Sequence, residues 1–235
     1  MNEKLTNPSL NFRYSILILL GALCITLIGF GILLATLHLG NASRGTSFIT
    51  LAFSVPALSI LILVFVRQFL QIHGLRWNAL GFVRPTKSLL HLLWQLPVIL
   101  LGLIIVQAIV FGVMGAQPAS QVNGLDAIMA EVPLYAVVIL FVGVAILVPL
   151  WEEMLFRGVV YRGLQRKWGI AIALIFSSGL FALIHIAPIL LPYLFAMGAA
   201  WVWLYESHKT LFAPVIGHIF INTLVTVPVL LFVLV

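Results

Sequence analysis

Glu152 and Glu153 stand side by side in WEEMLFRG, directly after an almost uninterrupted apolar run from Val132 to Trp151. Arg157 follows four residues past the second glutamate. The chain has only six acids, Glu3, Asp126, Glu131, Glu152, Glu153 and Glu206, so two of the six sit at membrane depth. An ionisable group there costs at least ~2.5–3.5 kcal/mol, and such groups face a bundle interior or a wet cavity where they do something. Two further polar places interrupt apolar stretches: His185 in FALIH, and His218 with Asn222 in HIFIN. A carboxylate, two imidazoles and an amide converging on a wet cavity can activate water and hold a developing negative charge. That is hydrolytic chemistry.

Spacing sorts these residues. On a helix, positions four apart share a face, so Glu153 can pair with Arg157. Glu152, about 100° round the helix, is left to face another partner. Phe181 and His185 are four apart, as are His218 and Asn222. At ~1.5 Å rise per residue, Glu152 and His185 lie about 20 and 25 Å above the same cytoplasmic turn, and His218 about 10 Å up the next ascending helix. Pro149 and Pro214, each just before a cluster, can bend their helices and free a carbonyl where a cavity opens.

The elements that must position these groups follow from composition. The 235 residues are 63% hydrophobic and 8% charged, against about a quarter charged in globular domains. Apolar stretches of spanning length recur from end to end, which predicts an all-α, polytopic membrane bundle of about seven helices, with eight as the alternative. The expected spans are Tyr14–Leu37, Ser47–Val66, Leu89–Gly115, Val132 to about Arg157, Trp168–Ala187, Ile189–Tyr205 and Leu211 onward. The last holds one long helix, or a helix and a short re-entrant tail broken at Pro228. The first run reads as an uncleaved helix. We expect one membrane domain, in which residues 1–131 carry the first three helices and their loops and residues 132–235 carry the helices bearing the chemistry.

Of the twelve Lys and Arg residues, all but Arg44 fall on one side when these spans alternate. The positive-inside rule then puts the N-terminus in the cytoplasm; the expected location is a plasma (inner) membrane. The loop from Ala116 to Glu131, with Asp126, Glu131 and no base, is expected outside. The net charge of +6 is this asymmetry. A nucleic-acid partner would need the bases gathered on one soluble face, and none exists; membrane lipid is the expected surroundings. The segment from Gln71 to Ser88 reads as an interfacial connector with Trp77 at headgroup level. His38, His73, His91 and His208 fall near span ends and read as interfacial. Cys24, alone in the first run, packs within the helix and can form no intramolecular disulfide.

EEMLFR (Glu152 to Arg157), FALIH (Phe181 to His185) and HIFIN (His218 to Asn222) resemble the EExxxR, FxxxH and HxxxN/D motifs of the CPBP family, which groups CAAX proteases with bacteriocin-processing and immunity proteins. All three occur in order, and the resemblance covers about Val132 to Val225. It implies an intramembrane endopeptidase acting on a protein or peptide, which for CAAX proteases is cut behind a prenylated cysteine. By motif position, Glu152 would be the general base, helped by His185, and His218 with Asn222 would stabilise the oxyanion. Glu153, Arg157 and Phe181 would hold the geometry.

Metal dependence is open at this level. Members of the family are often called metalloproteases, and Glu152, His185 and His218 could supply a three-ligand zinc site with an open position. Glu153 would then have to serve as base, although its own helix pairs it with Arg157. The chain also lacks H-E-x-x-H, which places two zinc histidines on one face. Metal-independent catalysis is the favoured expectation. Two rival functions use the same residues: a proton-coupled transporter, which would show paired broken helices in repeated halves, and a non-catalytic immunity or scaffold protein.

Overall fold

The computed structural model describes residues 10–40, 43–114 and 132–234. Among them every regular element is helical: α1 (Phe12–Leu39), α2 (Arg44–Ile72), α3 (Leu92–Met114), α4 (Leu134–Val142), α5 (Val148–Glu153), α6 (Arg162–Leu183), α7 (Leu191–His208) and α8 (Phe212–Leu234). Short 3₁₀ turns precede α3 and α7, and another spans Trp77–Leu80. Two π-helical segments, Gly143–Leu147 and Met154–Tyr161, flank α5. The expected loop from Ala116 to Glu131 lies outside the described residues.

Five helical runs are long and apolar enough to cross a bilayer: Phe12–His38, Arg44–Ile72, Leu89–Val113, Leu134–Leu183 and Pro188–His208, with a shorter apolar helix at Phe212–Val227. This differs from the expected seven chiefly because Leu134–Leu183 is one run of 50 residues. The run is not straight. Gly169, at φ 81° and ψ 176°, breaks it at the second residue of the expected fifth span, just past the turn expected after the fourth. Only glycine takes that backbone conformation without steric cost. Long rows of exposed aliphatics, such as Leu93, Val98, Leu101, Ile104 and Ile105 on α3, are lipid-facing surface, since soluble monomers do not expose contiguous apolar area of that extent. The chain is an integral, helical membrane protein.

The described residues form two compact units. The first comprises the described parts of Met1–Leu17, Leu70–Pro118 and Glu152–His218. Its close packing rests on small residues: a Cβ on Gly198 of α7 would stand 2.9 Å from the Cβ of Ser178 on α6. Between membrane helices, where apolar burial gives no drive to associate, such close backbone approach is a main source of attraction. The connector after α2 is more than an interfacial strip. Its 3₁₀ turn buries Ala79 and Leu80, and Arg162 donates to the Ala79 carbonyl at 2.7 Å. The turn between α7 and α8 is stitched to it: Leu211 N donates to Gly81 O at 2.9 Å and Thr86 N to His208 O at 2.9 Å. Thr210 Oγ1 donates to Val83 O at 2.7 Å. His208, expected at the interface, is fully buried, with Nε2 2.8 Å from Gln95 Oε1 and Nδ1 3.3 Å from Lys87 O.

The second unit comprises Ile18–Phe69, the described part of Ala119–Trp151, and Ile219–Val235. Ala52, Val132, Ala136 and Val137 form a buried cluster in it, flanked by Phe48, Ile49 and Leu140. Trp151 Nε1 donates to Ser59 Oγ at 3.2 Å. The backbone of α8 continues as helix through Pro228 to Leu234.

Candidate active site

The glutamate pair closes α5, and the π segment Met154–Tyr161 begins immediately after it. Insertions of this kind inside α-helices occur frequently at functional sites. The i, i+4 relation survives the change of pitch: Arg157 Nη1 donates to Glu153 Oε1 at 2.9 Å, both side chains being fully buried. The guanidinium is held from the other side by α7, where Nη2 donates to the Gly198 carbonyl at 2.9 Å. It also lies 4.8 Å from the Phe181 ring centroid. A buried ion pair offsets its desolvation only when additional hydrogen bonds satisfy both partners. Here the bond from Nη2 to Gly198 supplies part of that, while Arg157 Nε and Glu153 Oε2 have no hydrogen-bond partner among the described residues.

Glu153 does more than hold arginine. Its Oε1 also accepts from His218 Nδ1 at 2.9 Å, across from α8. With Nδ1–H committed to the carboxylate, only Nε2 of His218 is left for chemistry. That nitrogen stands 3.7 Å from Glu152 Oε2. The separation is too long for a direct hydrogen bond and short enough for one water to contact both groups. Glu152 and His218 are themselves buried, at 5% and 2% exposure. The expectation that Glu153 faces Arg157 while Glu152 faces a different partner corresponds to this geometry.

His185 is placed differently from the continuous helix expected. Helix α6 ends at Leu183, two residues before it, and Ile186 just beyond has φ 51°. The imidazole folds back on the last turn, with Nδ1 2.7 Å from the Phe181 carbonyl. A carbonyl oxygen only accepts, so Nδ1 carries the proton and Nε2 keeps its lone pair. His185 is exposed, whereas Phe181 is fully buried. The Phe181 ring borders both imidazoles, 4.8 Å from His185 and 5.9 Å from His218.

Asn222 belongs to the second unit, and its Nδ2 donates to the Val144 carbonyl at 3.0 Å. The reason lies in the first π segment. Val148 N–H bonds to Gly143 O rather than to Val144 O. The next residue in line to serve Val144 O is Pro149, which has no N–H. The carbonyl is orphaned twice over, and the Asn222 amide satisfies it. Pro149 thus leaves a carbonyl one turn before it without a helical partner.

Among the described residues no three His, Cys, Asp or Glu side chains gather as a metal-binding group. Sequence reasoning passed over Trp201 and Gly198. Trp201, fully buried on α7, stacks on the His218 ring at 5.3 Å between centroids and 25° between planes. Gly198 supplies the carbonyl that anchors Arg157. Neither carries a charge or stands in a motif, so a search for ionisable groups does not find them. Their helical spacing of three, on one face of α7, is the one signal they give.

Residues 133–224 match the family described as Type II CAAX prenyl endopeptidase Rce1-like. A Bacillus subtilis (strain 168) protein named "Putative membrane peptidase YdiL" is 32% identical over 118 residues, which cover 50% of this chain and 46% of that protein. A Lactococcus lactis subsp. lactis (strain IL1403) protein named "UPF0177 protein YxdF" is 27% identical over 171 residues, covering 69% of this chain and 88% of that one. The chain thus spans about half the length of the first relative. No solved structure matches it. The matched segment begins one residue before α4 and ends two residues past Asn222, so it contains all three motifs. Over residues 133–224, which carry the three motifs, the chain is similar to the Rce1-like CAAX prenyl endopeptidases.

Proposed function

We propose that the chain is an intramembrane endopeptidase that hydrolyses a peptide bond of a membrane-associated or lipid-modified protein or peptide. The observation that carries the proposal is the pair Glu152 Oε2 and His218 Nε2, 3.7 Å apart, with the far side of the imidazole tied to Glu153. In this reading Glu152 takes a proton from water as the water oxygen bonds to the scissile carbonyl carbon, and the carbonyl oxygen becomes the oxyanion. His218, when protonated at Nε2, donates to that oxygen, and the hydrogen bond to Glu153 keeps it aimed. His185, whose Nε2 lone pair is open, assists Glu152 in moving the proton. Collapse of the intermediate breaks the C–N bond, and the proton passes to the leaving amine. Asn222 is proposed as a second oxyanion donor on its place in the HxxxN motif, using the amide hydrogen not given to Val144 O. Preorganised donors of this kind are worth most in a dry, low-dielectric site.

The substrate is proposed from the family description, whose printed words are a CAAX prenyl endopeptidase. A prenylated C-terminus is therefore the first substrate to try. The membrane is proposed to be the plasma (inner) membrane with the N-terminus cytoplasmic. The test is reconstitution in proteoliposomes with membrane-anchored peptides, with and without a prenylated cysteine, products being read by mass spectrometry. A new C-terminus at one position supports the reading. Proton-coupled flux with no peptide cut would assign the chain as a transporter instead.

A further inference from the structure

The buried aromatic neighbour of His218 has no place in the three motifs, yet it covers one face of the ring. An imidazole anchored only at Nδ1 can still swing about that hydrogen bond, which sweeps Nε2 through an arc. Stacking removes this freedom, because the flat contact at 5.3 Å and 25° defines the ring plane. Phe181 meets the same ring edge-on, at 5.9 Å and 72°. With Nδ1 on Glu153 and the plane set by the rings, the Nε2 position is fully determined.

Two observations argue that the indole is there for more than volume. Trp201 is fully buried, and its Nε1–H has no hydrogen-bond partner among the described residues. An unpaired buried donor is costly, and a Leu or Phe would fill space without that cost. The backbone is also arranged to admit the stack. Gly217 directly precedes His218, and a Cβ there would stand 2.9 Å from the Trp201 ring and 2.8 Å from Leu204. The missing side chain lets α8 come close enough for the imidazole to lie flat on the indole.

We propose that Trp201 is a positioning residue for the hydrolytic site: it fixes the plane of the His218 imidazole, and Gly217 makes room for it to do so. The inference rests on the reading of Glu152 and His218 as the hydrolytic pair. It predicts a defect in turnover rather than in substrate binding, since Trp201 acts through His218.

The test compares wild type, Trp201→Phe, Trp201→Leu and Gly217→Ala in steady-state cleavage of a membrane-anchored peptide. Trp201→Phe keeps a flat face and should stay within about threefold of wild-type kcat. Trp201→Leu should lose on the order of 10–100-fold in kcat with KM nearly unchanged, the scale that misplacing a catalytic group by about an ångström produces. Gly217→Ala, which pushes on the stack without removing it, should fall between them. Trp201→Leu at wild-type kcat, or an equal loss in Trp201→Phe, overturns the proposal. A second readout needs no cleavage: in ¹⁵N-histidine-labelled protein, wild type and Trp201→Phe should show one fixed His218 tautomer protonated at Nδ1, and Trp201→Leu an exchange-averaged ring. If Trp201→Leu fails to insert, Gly217→Ala carries the same comparison, and an unchanged His218 signal there with full kcat counts against the proposal. Failure of the hydrolase reading looks different: no peptide is cut by wild type, while the histidine spectra still decide whether Trp201 sets the ring.

Discussion

At the scale of single residues, the two glutamates divide their labour by partner. Glu153 sits between a guanidinium and an imidazole, each 2.9 Å from the same oxygen. Glu152 touches neither at that distance and stands 3.7 Å from Nε2 of His218. Removing one member of a buried, hydrogen-bonded pair leaves an uncompensated charge and costs about 3–5 kcal/mol. Glu153→Ala and Arg157→Ala should therefore melt well below wild type in detergent, while Glu152→Gln stays close to it; equal melting temperatures for all three variants would contradict the division. Much of this was legible in the sequence, because a one-turn spacing of Glu153 and Arg157 names the pair without any structure. The partnership of Glu153 with His218 was not. It joins residues 65 apart in the chain, and no local periodicity encodes it.

At the scale of elements, two departures from regular helix lie at the candidate site. The π segment Met154–Tyr161 begins directly after the glutamates, and α6 stops short of His185. Reading Phe181 and His185 as one turn apart on a helix gave the right neighbours for a different reason, since the imidazole caps the helix end instead of continuing it. A π segment has no compositional signature that sequence reasoning can use; only Pro149 hinted at one. The orphaned Val144 carbonyl makes a specific expectation. Asn222→Ala leaves it without its partner, which costs roughly 1–3 kcal/mol, so thermal stability should fall together with activity. A drop in activity at unchanged melting temperature would instead place Asn222 wholly in the chemistry.

The contact of α6 with α7 makes another. A methyl at Gly198 would press on Ser178 at 2.9 Å, and overpacking costs about 1–3 kcal/mol. The same shift would pull the carbonyl away from Arg157. Gly198→Ala should lower both melting temperature and turnover, and Ser178→Ala should restore neither, because the clash is with Cβ and Cα rather than the hydroxyl alone. Partial recovery of both by Ser178→Gly in the Gly198→Ala background, which removes the contact with Cβ and leaves that with Cα, would be the positive control for this geometry.

At the scale of the whole molecule, composition carried the fold class. Exposed rows of leucine and isoleucine on spanning helices leave a bilayer as the only suitable solvent. The division of Leu134–Leu183 was legible as well: the basic stretch between Arg157 and Trp168 separates two expected spans, and the backbone breaks close by, at Gly169. The stitching of the connector onto the α7–α8 turn was hidden: it is made of main-chain carbonyls, which every residue has. The lopsided placement of basic residues predicts the N-terminus on the cytoplasmic side. A reporter that fluoresces only in the cytoplasm, fused ahead of Met1, should light up, and a periplasmically active phosphatase fused there should stay silent.

The central claim is that Glu152 is the base of a peptide hydrolysis carried by protein side chains, and one measurement addresses it most directly. Purified wild type and Glu152→Gln, both exhaustively chelated and checked by metal analysis, would be given the same membrane-anchored peptide and the scissile bond followed by mass spectrometry. We expect the chelated wild type to cut and the folded Glu152→Gln protein to leave the peptide intact. Cleavage by Glu152→Gln at the wild-type rate, or loss of wild-type activity on chelation with recovery on adding back a divalent metal, would contradict the account.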